Sequence, residues 1–125
     1  MLIWVVDDNG SLLEILEEVL AADYEVKTYD SGEELKRALA NSGESAPGLL
    51  IIDWNLPGES TQQVLEEFMI TYPQCRIAVM SGDLGSVGEW PHGVYRLEKP
   101  FKLKELQRWI RDGEKSLSTT AEMPF

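Results

Sequence analysis

The sequence predicts an α/β domain in which a five-stranded parallel sheet is covered by helices on both faces. Two observations carry this prediction: short apolar runs alternate with segments of helical spacing, and the alternation repeats five times. Strands connected through helices form right-handed crossovers and lie parallel, which gives a doubly wound sheet. The 125 residues are enough for one such domain around one core.

The predicted strands are short apolar runs, four of them rich in Val or Ile. Runs in which nearly every residue is apolar are typical of strands buried on both faces of a sheet. The five predicted strands are Leu2–Val6, Val26–Tyr29, Leu49–Ile52, Ile77–Met80 and Val94–Leu97.

The first predicted helix follows Leu2–Val6 and carries its apolar residues at helical spacing. The predicted core stripe is Leu12, Ile15, Leu16 and Val19. Leu13 lies off this stripe, so we expect it to be exposed near the carboxyl ends of the strands.

Three further helices are predicted from apolar stripes. One is entered through Ser31, an N-cap residue with Glu34 three positions later. The stripes are Leu35, Ala38 and Leu39; Val64, Leu65, Phe68 and Met69; and Leu103, Leu106, Trp109 and Ile110. The helix between the last two strands is predicted to be short or degenerate, because Gly85, Gly88 and Pro91 all disfavour a helix.

The charge distribution of the chain argues against one class of function, the binding of nucleic acid. The net charge is −11, with a balance of −13 over residues 1–95 and of +3 over residues 96–115. An acidic body repels a polyanion, so direct nucleic-acid binding is not expected. The basic segment is interpreted as a solvated helix face, with a partner-binding patch as the alternative.

No segment of the sequence is typical of a membrane span or a secretion signal. The apolar runs are far too short to cross a bilayer. The single cysteine, Cys75, cannot form an internal disulfide, which suits a reducing compartment. We therefore expect a cytoplasmic protein without a membrane partner.

Polar residues that end the predicted strands are the candidate site. Asp7 and Asp8 follow the first strand, Asp53 the third, Ser81 the fourth and Lys99 the fifth. Ligands bind at the carboxyl ends of the strands in doubly wound sheets. Clustered carboxylates suit Mg²⁺, a carboxylate can attack phosphorus, and an ammonium and a hydroxyl can stabilise the transferred oxygens. The set therefore predicts phosphoryl acceptance.

Four motifs at these strand ends resemble the receiver domains of response regulators in two-component signalling. They occur in the family's order, and the similarity extends from about Leu2 to Lys115. The motifs are Val5–Asn9, Ile52–Gly58, Met80–Gly82 and Glu98–Phe101. The resemblance implies a flavodoxin-like (βα)5 fold, a receiver domain over residues 1–115 and a C-terminal tail or linker start over residues 116–125.

The resemblance also implies a role for each candidate residue. Asp53 is the implied phosphoacceptor, assisted by Lys99 and Ser81. The implied Mg²⁺ ligands are Asp8, Asp53 and the Asn55 backbone carbonyl, with Asp7 acting mainly through a metal-bound water. The Lys99–Pro100 peptide is cis in many members of the family.

The implied partner is a sensor histidine kinase or a histidine phosphotransfer protein, whose phosphohistidine is the phosphoryl donor. The resemblance places kinase docking near Leu13 and allows a homodimer through the last strand and helix. We expect a signalling phosphoacceptor, limited to its own phosphotransfer and slow dephosphorylation, rather than a turnover enzyme. The sequence contains no effector domain, so the chain is expected to be a single-domain regulator or a receiver from a longer protein.

Three departures from the family and two alternative functions stay open at this stage. Glu59 and Thr61 stand where relatives often carry an apolar residue and a glycine after the proline. Position 96, usually aromatic and part of the conformational switch, is Arg96, and the segment between Ser81 and Lys99 is short. One alternative is a phosphatase of the haloacid-dehalogenase type, but its second Asp lies two residues after the first, whereas Asp7 and Asp8 are adjacent. The other is a receiver-like interaction domain that does not need phosphate.

Overall fold

The computed structural model describes residues 1–41, 45–58, 60–83 and 94–122, with side chains up to residue 113. Each predicted strand is present to within a residue at its ends. The elements are β1 (Leu2–Val6), α1 (Gly10–Leu20), β2 (Glu25–Tyr29), α2 (Gly32–Ala40), β3 (Leu49–Asp53), α3 (Thr61–Thr71), β4 (Arg76–Ser81), β5 (Val94–Glu98) and α4 (Leu103–Glu122).

The five strands form one parallel sheet in the order β2-β1-β3-β4-β5. This order confirms the predicted doubly wound α/β architecture. Every residue of β1 and of the apolar run in β3 is buried, because helices cover both faces at the centre of the sheet. The order reverses between β1 and β3, and the carboxyl ends of these two strands therefore form the crevice where such folds bind ligands.

One face of the sheet packs against α2 and α3, and Trp4 is at the centre of this core. The Trp4 ring contacts Tyr29, Phe68 and Tyr72 edge-to-face, with ring centroids 5.3 to 6.0 Å apart. Such pairs add about 0.5–1.5 kcal/mol each beyond the area they bury. This cluster connects two strands to α3 beneath the site.

The other face of the sheet packs against α1 and α4. The buried residues of α1 are Leu13, Leu16 and Leu20, whereas Ile15 is 48% exposed. The prediction that Leu13 is exposed and that Ile15 belongs to the core is therefore wrong. Six apolar residues between positions 12 and 20 permit two different stripes, and packing against the sheet selects the stripe through Leu13.

Arg76 and Trp109 attach α4 to the sheet. The guanidinium of Arg76 lies 4.2 Å from the centroid of the Trp109 ring and donates to the carbonyl oxygens of Trp109 and Ile110 at 3.0 and 3.3 Å. Trp109 also stacks on Tyr95 of β5, with centroids 4.9 Å apart. Gly113 leaves room for this guanidinium, since a Cβ there would overlap it. These contacts fix the position of α4 against β4 and β5.

Two sequence predictions concern the remaining parts of the chain. The predicted short helix between β4 and β5 lies in residues 84–93, outside the described residues. The predicted domain boundary at residue 115 falls within α4, whose backbone is helical to Glu122, and that boundary stays a prediction. Within the described ranges, no helix is both long and apolar enough for a bilayer.

Candidate functional site

Three carboxylates meet where β1 and β3 end. Asp7 and Asp8 follow β1, and Asp53 is the last residue of β3. Carboxylate oxygens of all three lie within 4.8 Å of one another. Asp7 is fully buried, Asp53 is 5% exposed and Asp8 is exposed. The topology therefore brings together acidic groups that are 46 positions apart in the chain.

Local hydrogen bonds hold the two buried carboxylates in place. The backbone N–H of Asn9 donates to Asp7 Oδ1 at 2.8 Å, and the backbone N–H of Asn55 donates to Asp53 Oδ1 at 3.1 Å. The N-cap of α1 is Asn9, whose side chain accepts from Ser11 and Leu12. Asp7 and Asp8 are therefore not required to cap the first helix.

Lys99 supplies the positive charge at the site. Its Nζ lies 2.7 Å from Asp7 Oδ2 and 3.5 Å from Asp53 Oδ2, so the ammonium bridges both buried carboxylates. The Lys99 backbone N–H donates to the carbonyl of Ser81 at 2.7 Å, which places the side chain at the end of β5. The Lys99–Pro100 peptide is cis, as the family resemblance implies.

The titration of Asp53 and of Lys99 reflects this arrangement. Burial raises the pKa of Asp53, and the nearby Asp7 raises it further, while the Asn55 N–H and the Lys99 ammonium partly offset the increase. Burial lowers the pKa of Lys99, but its contacts with Asp7 and Asp53 outweigh that effect, so the pKa is raised overall. Lys99 is therefore a cation at neutral pH.

Ser81 ends β4 beside the carboxylates. Its hydroxyl donates to the backbone carbonyl of Asp83 at 2.9 Å and accepts from the Asp83 N–H at 3.0 Å. The Asn55 side-chain amide donates to the same oxygen at 3.5 Å. The Ser81 hydroxyl is thus bonded to the start of the segment after β4, and a move towards Asp53 would break its bonds with Asp83.

Arg96 and Tyr95 occupy opposite faces of β5, because neighbouring side chains alternate along a strand. Tyr95 stacks on Trp109 of α4, and its hydroxyl donates to Glu105 at 3.1 Å. Arg96 is exposed. Tyr95 therefore does not replace the aromatic ring that is usual at position 96.

The donor set fits a hard divalent cation. All three acidic side chains offer oxygen only, and one of them is accessible to water, which suits an ion that keeps part of its hydration shell. Asp7 and Asp53 are buried, and among the side chains that the structure describes Lys99 is the one cation that contacts them. A divalent cation would compensate the remaining negative charge of the cluster.

Comparison with known proteins agrees with this geometry. The sequence profile of the response regulator receiver domain matches residues 3–111. The chain belongs to this family. Its sequence is 31% identical over 109 residues to the DNA-binding transcriptional regulator NtrC of Escherichia coli K12, covering 83% of this chain and 23% of that protein.

Solved receiver structures have the same fold. A response regulator receiver domain protein from Clostridium thermocellum superposes with a TM-score of 0.78 at 25% identity, covering 93% of this chain and 97% of that one. The response regulator TrrA from Thermotoga maritima, solved with Mg²⁺ and BeF, superposes with a TM-score of 0.73 at 27% identity, covering 89% of this chain and 96% of that one. Membership of the receiver family excludes the haloacid-dehalogenase alternative.

Proposed function

We propose that this receiver domain accepts a phosphoryl group on Asp53 from a phosphohistidine donor. The observation that carries the proposal is the convergence of three carboxylates and one ammonium at the ends of β1, β3 and β5. In the transfer, a carboxylate oxygen of Asp53 forms a bond to phosphorus as the P–N bond of the donor breaks. The electron pair of that bond remains on the imidazole nitrogen, which takes up a proton.

Lys99 and Ser81 are proposed to stabilise the transferred group. Lys99 Nζ lies 3.5 Å from Asp53 Oδ2, close enough to neutralise charge on the phosphoryl oxygens. The Ser81 hydroxyl donates to one of these oxygens once it leaves Asp83. The change in its bonds would alter the backbone after β4, where the conformational signal begins. Position 96 carries an arginine instead of an aromatic residue. The proposed conformational switch is therefore this change of the backbone rather than the movement of an aromatic ring.

Asp7, Asp8 and Asp53 are proposed to hold Mg²⁺, together with the backbone carbonyl of Asn55. When bound, the metal screens the repulsion between an anionic donor and an anionic nucleophile. TrrA, a solved relative, was crystallised with Mg²⁺ and BeF, which supports the assignment of this ion. Asp8 is the accessible carboxylate of the three, and Asp7 would contribute mainly through a metal-bound water, as the family resemblance implies.

The donor protein is proposed to be a sensor histidine kinase or a histidine phosphotransfer protein that docks beside α1. An open cleft next to Lys99 is lined by apolar side chains of α1, of the segment before α4 and of the first residue of α4, among them Leu12, Ile15, Phe101 and Leu103. Exposed apolar surface beside a reactive group is typical of a docking site. The docking residue is therefore Ile15 rather than the buried Leu13.

We propose that the protein is a cytoplasmic signalling module rather than a turnover enzyme. The chain spans about a quarter of the length of NtrC, so the DNA binding of that regulator is not attributed to this domain. The acidic balance over residues 1–95 argues against direct nucleic-acid binding. A homodimer through β5 and the last helix stays a prediction from the family.

Incubation with acetyl phosphate and Mg²⁺ tests the proposal. We expect the protein to gain the mass of one phosphoryl group, and Asp53→Asn to gain none. Glu66→Gln, an exposed carboxylate on α3, is the matched control and should be labelled like the wild type. If the folded wild type is not labelled, the chain is a receiver-like interaction domain and the proposal is wrong.

A further inference from the structure

The exposed surface of α1 and α4 carries charges of opposite sign on two neighbouring helices. Both helices pack on the same face of the sheet, and Val19, Tyr24, Gln107 and Arg111 line a cleft of about 170 Å³ between them. Their outward residues therefore form one continuous surface.

The two helices differ in charge on this surface. On α1, Glu14 and Glu18 are exposed and lie on one ridge of the helix next to Ile15, since residues four apart share a helix face. On α4, Lys104, Arg108 and Arg111 are exposed and line a shallow depression. Among the side chains that the structure describes, no ion pair joins these three cations to a carboxylate. An acidic stripe and a basic stripe thus lie side by side, each free to contact a partner.

We propose that this surface, named here the α1/α4 face, binds a second copy of the chain. A two-fold rotation about an axis between the helices places the acidic stripe of one copy over the basic stripe of the other, and each contact occurs twice. The spacing matches, because Glu14 and Glu18 are four residues apart, as are Lys104 and Arg108, which is about 6 Å along a helix axis.

An apolar group lies at the centre of the proposed contact. Ile15 is 48% exposed and lines the cleft that leads to Leu103 at the start of α4. In the two-fold arrangement, Ile15 of each copy lies near the axis, surrounded by the charged pairs. An apolar centre with a charged rim is the usual composition of an interface.

The proposed interface has a consequence for phosphotransfer. Ile15 belongs both to the α1/α4 face and to the cleft beside Lys99 where the donor protein is proposed to dock. A second copy would therefore cover part of the donor's docking site. The dimer is weak, since each copy has a net charge of −11 and each exposed ion pair changes affinity by only about 1.5- to 5-fold.

Charge reversal and complementation test the proposal by sedimentation velocity. The measurements are made over a wide range of protein concentration at about 0.15 M salt, where long-range repulsion is screened beyond about 8 Å. The first variant is Lys104→Glu with Arg108→Glu, and the second is Glu14→Lys with Glu18→Lys. Each alone opposes like charges across the interface, and we expect each to raise the dimer dissociation constant at least about tenfold.

The mixture of the two variants gives the decisive result. In the mixture, the acidic α1 of the first variant faces the basic α4 of the second, and the acidic α4 faces the basic α1. We expect dimers to return to the wild-type level. Glu66→Lys with Glu67→Lys makes the same charge change as the second variant on α3, which packs on the opposite face of the sheet, and should leave the wild-type dimer in place.

Several results would overturn the proposal. The wild type could be monomeric at every concentration, or each charge-reversal variant could still form dimers alone. The control variant could lose the dimer as completely as the charge-reversal variants do. The mixture of folded variants could also fail to restore the dimer. Slower phosphotransfer from a kinase without any change in the oligomeric state would assign the face to the donor protein instead.

Discussion

Replacing Lys99 with methionine separates the two proposed roles of its ammonium, balancing the buried carboxylates and stabilising the phosphoryl group. Methionine keeps an apolar stem and removes the charge that lies 2.7 Å from Asp7 and 3.5 Å from Asp53. Asp7 is fully buried, so the variant leaves its carboxylate away from water without the ammonium that contacts it in the wild type. The pKa of Lys99 is raised in the folded protein, so the stabilisation of the fold by its positive charge is complete at neutral pH. This stabilisation is lost only as the pH rises through the raised pKa.

The expected loss of stability follows from the burial of the pair. Breaking a buried ion pair costs about 3–5 kcal/mol. The Lys99 side chain is 27% exposed, so water screens part of the interaction and we expect a loss of about 2–3 kcal/mol in the free energy of unfolding. Mg²⁺ at a hundredfold excess over its dissociation constant contributes about 2.7 kcal/mol, which is enough to compensate.

The metal and the phosphoryl group respond to this change in opposite directions. Removing one positive charge from the site strengthens Mg²⁺ binding, whereas phosphorylation by acetyl phosphate slows because the ammonium no longer neutralises the transferred oxygens. Urea unfolding with and without Mg²⁺, and labelling by mass spectrometry, measure the two effects. Lys102→Met, an exposed lysine nearby, is the control and should behave like the wild type. Weaker Mg²⁺ binding in Lys99→Met, or labelling at the wild-type rate, would refute the reasoning.

Three other predictions follow from the described contacts. Mg²⁺ should change the tryptophan fluorescence of the wild type but not of Trp54→Phe, since Trp54 adjoins Asp53; no change in the wild type at millimolar Mg²⁺ would contradict the metal assignment. Burial raises the pKa of the Cys75 thiol to about 12, partly offset by Arg76, so alkylation at pH 8 should be at least about tenfold slower in the folded than in the unfolded protein; similar rates would show that the thiol is accessible. Leu13→Ala should cost about 2–5 kcal/mol of stability, because Leu13 is buried. Ile15→Asp should preserve the fold and slow phosphoryl transfer from the cognate kinase about tenfold, without affecting labelling by acetyl phosphate. The reverse pattern would place Leu13 at the surface.

The strands and the strand-end residues were predictable because both depend on local sequence. β1 and β3 are continuous apolar runs, and the polar residue that ends such a run stands out. Parallel topology then brings the ends together, so the sequence alone groups Asp7, Asp53 and Lys99. Their separations in the chain are large, and only the regular βα alternation makes them neighbours.

The face of α1 and the attachment of α4 were not predictable from local pattern. Nearly every turn of α1 offers apolar residues on two sides, and contact with the sheet and α4 decides which side is buried. The contact of Arg76 with Trp109 joins residues 33 positions apart, and neither residue carries a sequence signal for it. The Asn9 cap, by contrast, has a local signal, because asparagine before an apolar helix is a standard start signal.

The central claim is that Asp53 is the residue that carries the phosphoryl group, and locating the modification tests it most directly. After labelling with acetyl phosphate and Mg²⁺, borohydride reduces an aspartyl phosphate to homoserine, and peptide mass spectrometry identifies the converted position. We predict conversion at Asp53 alone, absent when Mg²⁺ is chelated. Conversion at Asp7 or Asp8, or a phosphoryl group on a residue other than aspartate, would contradict the account.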